Sequence, residues 1–169
     1  MIKYSANFLH SLISDVLDMS KIEAGQIDVK NEPFELVHLL RTIEKTFQLK
    51  AREKDIQVLM SIAPEIEETY IGDETLLNQI LMNVVGNAEK FTTDGFVKIE
   101  VLSSSIDSDS TLLQFKITDS GIGIAADKLA EIFTKFKQGH GKNVTNTKGT
   151  GLGLAIVKRL CDHENWPLT

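Results

Sequence analysis

Asn83, Asn87 and Lys90 are separated by four and three residues, so on a helix they fall on one strip that can address a single ligand. Asparagine inside a helix competes with the backbone for hydrogen bonds, which makes two amides and an ammonium poor filler there. Further on, FKITDSGIGI ends an alternating stretch with Asp119 and then turns on Gly121 and Gly123. A carboxylate at a strand end, beside glycines that let the backbone come close, can accept a hydrogen bond from an amino group such as that of adenine. The third group is KGTGLGLAIVKRL, where Gly149, Gly151 and Gly153 lead straight into an amphipathic pattern. The unpaired N–H groups and positive dipole at a helix start favour an anion, and glycines let it approach, so this segment suits a phosphate. Each group also has a plainer reading: a polar helix face, a common glycine turn, a flexible hinge.

Two better-known glycine motifs do not fit. The G-x-G-x-G spacing of Gly149, Gly151 and Gly153 follows the polar run KQGHGKNVTNTK, whereas a dinucleotide fingerprint needs G-x-G-x-x-G after a strand. A P-loop fails at Gly141-Lys142, which is followed by Asn143 and has Phe136 where the first glycine belongs. The net charge of -6 argues against nucleic acid as a partner. The single cysteine, Cys161, excludes an internal disulfide or Cys-rich zinc site and fits a reducing compartment. No stretch approaches the roughly 18 consecutive apolar residues of a membrane helix, so a soluble, cytoplasmic chain without a membrane segment is expected.

These residues need elements to hold them. Ile2, Leu9, Leu12, Ile13, Val16, Leu17, Met19 and Ile22 recur at helical intervals, with Gly25 placed as a C-terminal cap. This is a long amphipathic helix whose stripe seeks a partner. QIDVKNEPFEL looks like a short strand, with Pro33 marking the boundary before a helix from about Glu35 to Arg52 that carries Leu36, Leu40, Ile43 and Phe47. Ile56, Val58, Met60 and Ile62 alternate with more polar residues, as do Val97, Ile99 and Val101, and then Leu113, Phe115 and Ile117. Between the first and second of these strands, a helix capped by Asp73 runs to Phe91 and carries the Asn83 strip beside an apolar set of Leu77, Leu81, Val84 and Ala88. SSSIDSDS reads as an exposed hairpin connection, and Phe133 and Phe136 would staple a loop to the core ahead of the polar run from Lys137 to Lys148. Strands with one apolar face need one layer of helices, which predicts a two-layer α/β sandwich with a mixed or mostly antiparallel sheet.

In order, NQILMNVVGNAEKF, DSGIGI, IFTKF and GTGLGLAI resemble the N box, first glycine box, F box and second glycine box of the sensor histidine kinases. The catalytic domain of that family uses the ATP-binding sandwich shared with gyrase, MutL and related chaperone ATPases. FLHSLISDVLDMSKIEAGQI resembles the second helix of the dimerisation and phosphotransfer hairpin that precedes it. IAPEIEETYIGDE, VVGNAEKF and IFTKF are further similar to hybrid sensor kinases and plant ethylene receptors. The implied fold is an α/β (α+β) two-layer sandwich of the gyrase, chaperone, histidine kinase and MutL type, preceded by one long amphipathic helix. Residues 1–25 would be the hairpin helix and 26–169 the ATP-binding catalytic domain, truncated at its C-terminus, because CDHENWPLT stands where the family continues with two strands around a Gly-rich turn.

The resemblance implies a two-component histidine kinase that binds ATP and Mg²⁺ and presents the γ-phosphate to a histidine. Asn87 would coordinate magnesium, Lys90 would contact phosphate, Phe91 would lie near the base and Asp119 would bind the adenine amino group. Gly149, Gly151 and Gly153 would place the last helix against the triphosphate with Leu152 beside the nucleotide. Gly121, Gly123, Ile124, Phe133, Lys148 and Thr150 complete the implied nucleotide-binding set, to which Asn83 also belongs. Asn83 stands where the ATPase relatives have a glutamate base, and an amide cannot take a proton from water at neutral pH, which favours a kinase over a hydrolase; Asn83 and Lys90 are the implied catalytic residues. None of His10, His38, His140 or His163 has the context of the family's acceptor, and His10 reads as a packing or surface residue. The acceptor would lie on a hairpin of the same or a partner chain. A receiver domain of a response regulator and a homodimer in the full-length protein, a membrane-associated sensor, are the other implied partners. The alternatives are a regulatory nucleotide-binding and dimerisation module without transfer activity, or a gyrase- or MutL-like ATPase.

Overall fold

A computed structural model of the chain describes residues 2–26, 28–52, 54–106, 110–129, 131–134 and 150–169. Its elements are α1 (Ile2–Glu23), β1 (Glu32–Glu35), α2 (Leu36–Ala51), β2 (Ile56–Ile62), β3 (Thr69–Gly72), α3 (Glu74–Phe91), β4 (Gly95–Ser105), β5 (Thr111–Asp119), a 3-10 turn at Ala126–Lys128 and α4 (Gly153–His163). They divide into two compact units, one of Lys30–Gly123 and one of Met1–Val29 with Ile124–Thr169.

The Lys30–Gly123 unit is the two-layer α/β arrangement expected from the one-sided strands. β4 is central, with β2 parallel on one side and β5 antiparallel on the other; β1 and β3 form a separate antiparallel ribbon. Val58, Val97, Ile99 and Val101 turn inward and meet Leu36, Leu40, Ile43 and Phe47 of α2 and Leu77, Leu81, Val85 and Ala88 of α3. Burying each of these side chains larger than alanine contributes roughly 1.5–3 kcal/mol. The opposite face of the sheet mixes exposed Leu59, Phe96, Leu102 and Leu112 with charged residues, among which Glu100 pairs with Lys98 at 2.7 Å and with Lys116 at 3.8 Å. The hydrogen bond from Lys98 holds the Glu100 carboxyl below the usual range.

Three sequence expectations are corrected here. Val85, not Val84, enters the core; Val84 is half-buried, because the buried arc of α3 is centred one residue further round. Pro33 does not end a strand but lies inside β1 opposite Ile71, which a ribbon of two edge strands tolerates. β3 was not anticipated, since its four residues bury no side chain fully and so show no core-facing pattern.

In the other unit, α1 ends as its sequence suggests. Gly25 adopts φ +65, Gln26 N–H donates to the Lys21 carbonyl at 2.9 Å and Gly25 N–H to the Ile22 carbonyl at 3.1 Å, the paired bonds of a Schellman cap. α4 ends in the same way with Asn165 at φ +57 in the role usually taken by glycine. The two helices touch, Met19 is buried, and Leu9, Ile13, Val16 and Leu17 form an exposed apolar stripe along α1. The side chain of His10 and all of Lys135–Gly149 lie outside the described residues, and with them the expected loop staple at Phe136 and the polar run.

Candidate functional site

α3 begins where Asp73 accepts the Leu76 N–H at 2.9 Å through Oδ1 and the Lys30 N–H at 3.0 Å through Oδ2. One carboxylate thus caps the helix and ties it to the chain entering β1. Between about three and five turns on, the helix presents Asn83, Asn87 and Lys90, each half-buried. Neither amide side chain has a hydrogen-bond partner among the described residues, and Lys90 has no carboxylate partner there. Burial lowers the Lys90 ammonium pKa below the usual lysine range, and the charge rests 4.7 Å from the centre of the Phe91 ring. A strip of half-buried donors and acceptors without a hydrogen-bond or ion-pair partner among the described residues is fitted to meet something other than protein.

The end of α3 meets the turn after β5. Ile122 N–H donates to the Phe91 carbonyl at 3.4 Å, and a Cβ on Gly121 would lie 2.5 Å from that carbonyl oxygen. Gly121 is therefore required for closeness, whereas Gly123 is required for conformation, at φ +67 with open space around it. Asp119 Oδ1 accepts the Gly121 N–H at 2.9 Å, which fixes the exposed carboxylate and leaves Oδ2 free as an acceptor among the described residues. Ser120 is a residue whose part the sequence did not suggest. Its Oγ accepts the Phe96 N–H at 2.8 Å, while a side chain on Gly95, at φ +108, would collide with it. Ser120 thereby anchors Asp119 to the start of β4, and nothing in D-S-G distinguishes such a serine from an ordinary turn residue.

In the other unit, Gly151 adopts φ +73 and Thr150 Oγ1 accepts the Leu152 N–H at 3.3 Å, folding the glycine segment into the start of α4. Leu152 is fully buried, and no side chain caps the helix, so the first N–H groups of α4 remain available. Gly153 is the first helical residue; Phe133 is half-buried and Ile124 exposed. Lys148 and Gly149 lie outside the described residues. Of the sequence-predicted residues, the structure thus brings Asn83, Asn87, Lys90, Phe91, Asp119, Gly121 and Gly123 into one unit, and Ile124, Phe133, Thr150, Gly151, Leu152 and Gly153 into the other. Among the described residues no cluster of three or more His, Cys, Asp or Glu could hold a metal, and no helix is long and apolar enough to cross a membrane.

Residues 72–167 match the family model of the histidine kinase-, DNA gyrase B- and HSP90-like ATPases. Hybrid signal transduction histidine kinase B of Dictyostelium discoideum is 39% identical over 160 residues, which is 95% of this chain and 8% of that protein. The autoinducer 2 sensor kinase/phosphatase LuxQ of Vibrio parahaemolyticus is 35% identical, covering 96% of this chain and 19% of its own length. The chain therefore spans less than a fifth of these curated relatives. Among solved structures, full-length ShkA in complex with AMPPNP aligns with a TM-score of 0.77 at 35% identity, over 94% of this chain and 32% of that one. The Acinetobacter baumannii histidine kinase AdeS shares the fold, with a TM-score of 0.68 at 24% identity.

Proposed function

Because the chain belongs to the histidine kinase-, DNA gyrase B- and HSP90-like ATPase family, as a sensor histidine kinase catalytic domain, we propose that it binds Mg-ATP and delivers the γ-phosphoryl group to a histidine on a phosphotransfer hairpin. The observation that carries this reading is the strip of Asn83, Asn87 and Lys90, whose side chains have no hydrogen-bond or ion-pair partner among the described residues and whose helix ends against the Asp119–Gly121 turn.

Each group has work that suits its chemistry. The free Oδ2 of Asp119 accepts from the adenine amino group, and Phe91 lies beside the base. The Lys90 ammonium, already stripped of part of its water, gains from meeting a phosphate. The start of α4, with Gly151 and Gly153, has N–H groups that no side chain caps, a chemistry that suits phosphate oxygens. The unpartnered amide of Asn87 fits a hard cation, which prefers oxygen ligands; magnesium held there would neutralise charge on the phosphates. In the transfer, the bond from the γ-phosphorus to the β–γ bridging oxygen breaks, a histidine nitrogen bonds to phosphorus, and ADP leaves with the bridging oxygen. Asn83 cannot accept a proton from water, which favours transfer over hydrolysis.

The exposed stripe of Leu9, Ile13, Val16 and Leu17 supports α1 as one helix of a hairpin that pairs in a homodimer, with a response-regulator receiver domain as the onward acceptor. ATP as substrate and a lone cysteine fit the cytoplasm, beneath a membrane-associated sensor. The test is calorimetric titration with Mg-ADP, followed by incubation with labelled ATP and a separate hairpin bearing the acceptor histidine. Label on the hairpin supports the kinase reading. Binding without transfer leaves a regulatory nucleotide module, and release of phosphate without the hairpin would favour a hydrolase.

A further inference from the structure

Lys54 belongs to none of the recognisable motifs, yet its ammonium makes two bonds to one residue of α3. It pairs with Glu89 Oε1 at 2.6 Å and donates to the Glu89 backbone carbonyl at 3.2 Å. Glu89 is buried, with a side chain 12% exposed, and a carboxylate in that place needs a partner. Its carbonyl is one of the last in the helix, which have no intrahelical acceptor role left to fill and carry the negative end of the dipole. A cation from the turn after α2 answers both needs at once.

Two other carbonyls of that turn are held as well. Thr92, itself fully buried, donates to the Ala88 carbonyl through N–H at 3.1 Å and through Oγ1 at 2.8 Å, and Ile122 N–H reaches the Phe91 carbonyl. The final turn of α3 is thus pinned from three directions, and Lys54 is the sole charged member among the described residues. Glu89 follows Asn87 by two residues and immediately precedes Lys90, so any rotation of this turn moves both, together with the Phe91 carbonyl against which Gly121 packs.

We infer that Lys54 is a positioning residue of the nucleotide site, setting the orientation of Asn87 and Lys90 through its two bonds to Glu89. This rests on the proposed function, and the experiment separates the two. Mg-ADP affinity is measured by calorimetry for the wild type and for Lys54→Met, Lys54→Arg and Glu89→Gln, with urea unfolding of each to establish the folded fraction. The methionine retains the stem but removes both bonds and should weaken binding by roughly threefold to tenfold, the scale on which residues outside a site modulate it. Arginine keeps charge and donors and should stay within about twofold of the wild type. Glu89→Gln keeps the carbonyl bond and loses the ion pair, and should fall between them. Failure of the folded wild type to bind Mg-ADP would overturn the nucleotide reading itself. Wild-type binding with an unchanged affinity in Lys54→Met, whatever its stability, would overturn the positioning role alone.

Discussion

The carbonyl oxygen of Phe91 lies 2.5 Å from the point at which a side chain on Gly121 would begin, and Asp119 Oδ1 lies 2.8 Å from the same point. The obstacle is backbone on one side and a fixed carboxylate on the other, so neither can move aside cheaply. Gly121→Ala should therefore push the Asp119 turn away from the end of α3. The expected cost is about 1–3 kcal/mol of stability, as for overpacking, measured by urea unfolding, together with loss of Mg-ADP binding. An alanine variant that binds as the wild type would show that the turn and the helix end need not touch.

Asp119→Asn separates the recognition of adenine from the architecture. The amide oxygen can still accept the Gly121 N–H, but the free acceptor becomes an NH₂ donor facing another donor. Melting temperature should hardly change, because Asp119 is exposed. ADP affinity should fall by on the order of tenfold or more, the worth of a hydrogen bond to a charged group. Inosine diphosphate, which offers no amino group, should lose much less, and equal losses for the two nucleotides would remove Asp119 from adenine recognition.

Asp73 tests a purely structural device. Alanine there removes the bonds to both Leu76 N–H and Lys30 N–H, and loss of a cap costs ~1 kcal/mol with up to about 2 in proteins. A drop of roughly 2–8 °C in melting temperature is expected for a domain of this size, with asparagine restoring part of it. An unchanged unfolding curve for the alanine variant would mean that neither bond matters in solution.

Lys90 links binding to pH. Burial lowers its pKa in the free folded protein below that of the unfolded chain, so its charge is a cost to folding at neutral pH, and stability from this group rises as pH climbs through the lowered value. A bound phosphate favours the charged form, so Mg-ADP affinity should be full below the free-state pKa and decline above it, beginning short of the usual lysine range. Calorimetry in buffers of different ionisation heats should show proton uptake on binding in that alkaline window. Lys90→Met should lose both the uptake and the pH dependence while gaining stability at neutral pH; a variant that retains the alkaline decline would assign it to another group.

α2, α3 and the three sheet strands could be read from periodicity alone, because each buries one face and leaves the other in water. β1 was legible only as a short strand somewhere within QIDVKNEPFEL, and β3 left no signal, each being four residues long with no wholly buried side chain. The same division runs through the site. Asn83, Asn87 and Lys90 stand out because amides are costly inside a helix, and Gly121 because glycines mark close approach. Lys54 and Ser120 leave no trace in local sequence, since what they hold is backbone at Glu89 and Phe96, distant along the chain.

β2 lies parallel to β4, Ile56 opposite Gly95, so the chain must cross over between them, and α3 is that crossover. β4 and β5 can close locally as a hairpin, but the parallel pair must wait until α3 has formed and packed, since its ends are brought together only by a long connection. The helix that carries Asn83, Asn87 and Lys90 must consequently pack before the parallel pair can close, and a chain in which α3 has not packed has neither the positioned strip nor the β2–β4 pair. A nucleotide that meets this surface reports that α3 has packed, and because the parallel pair depends on that packing, amide exchange along α3 should track opening of the whole sheet in place of local fraying.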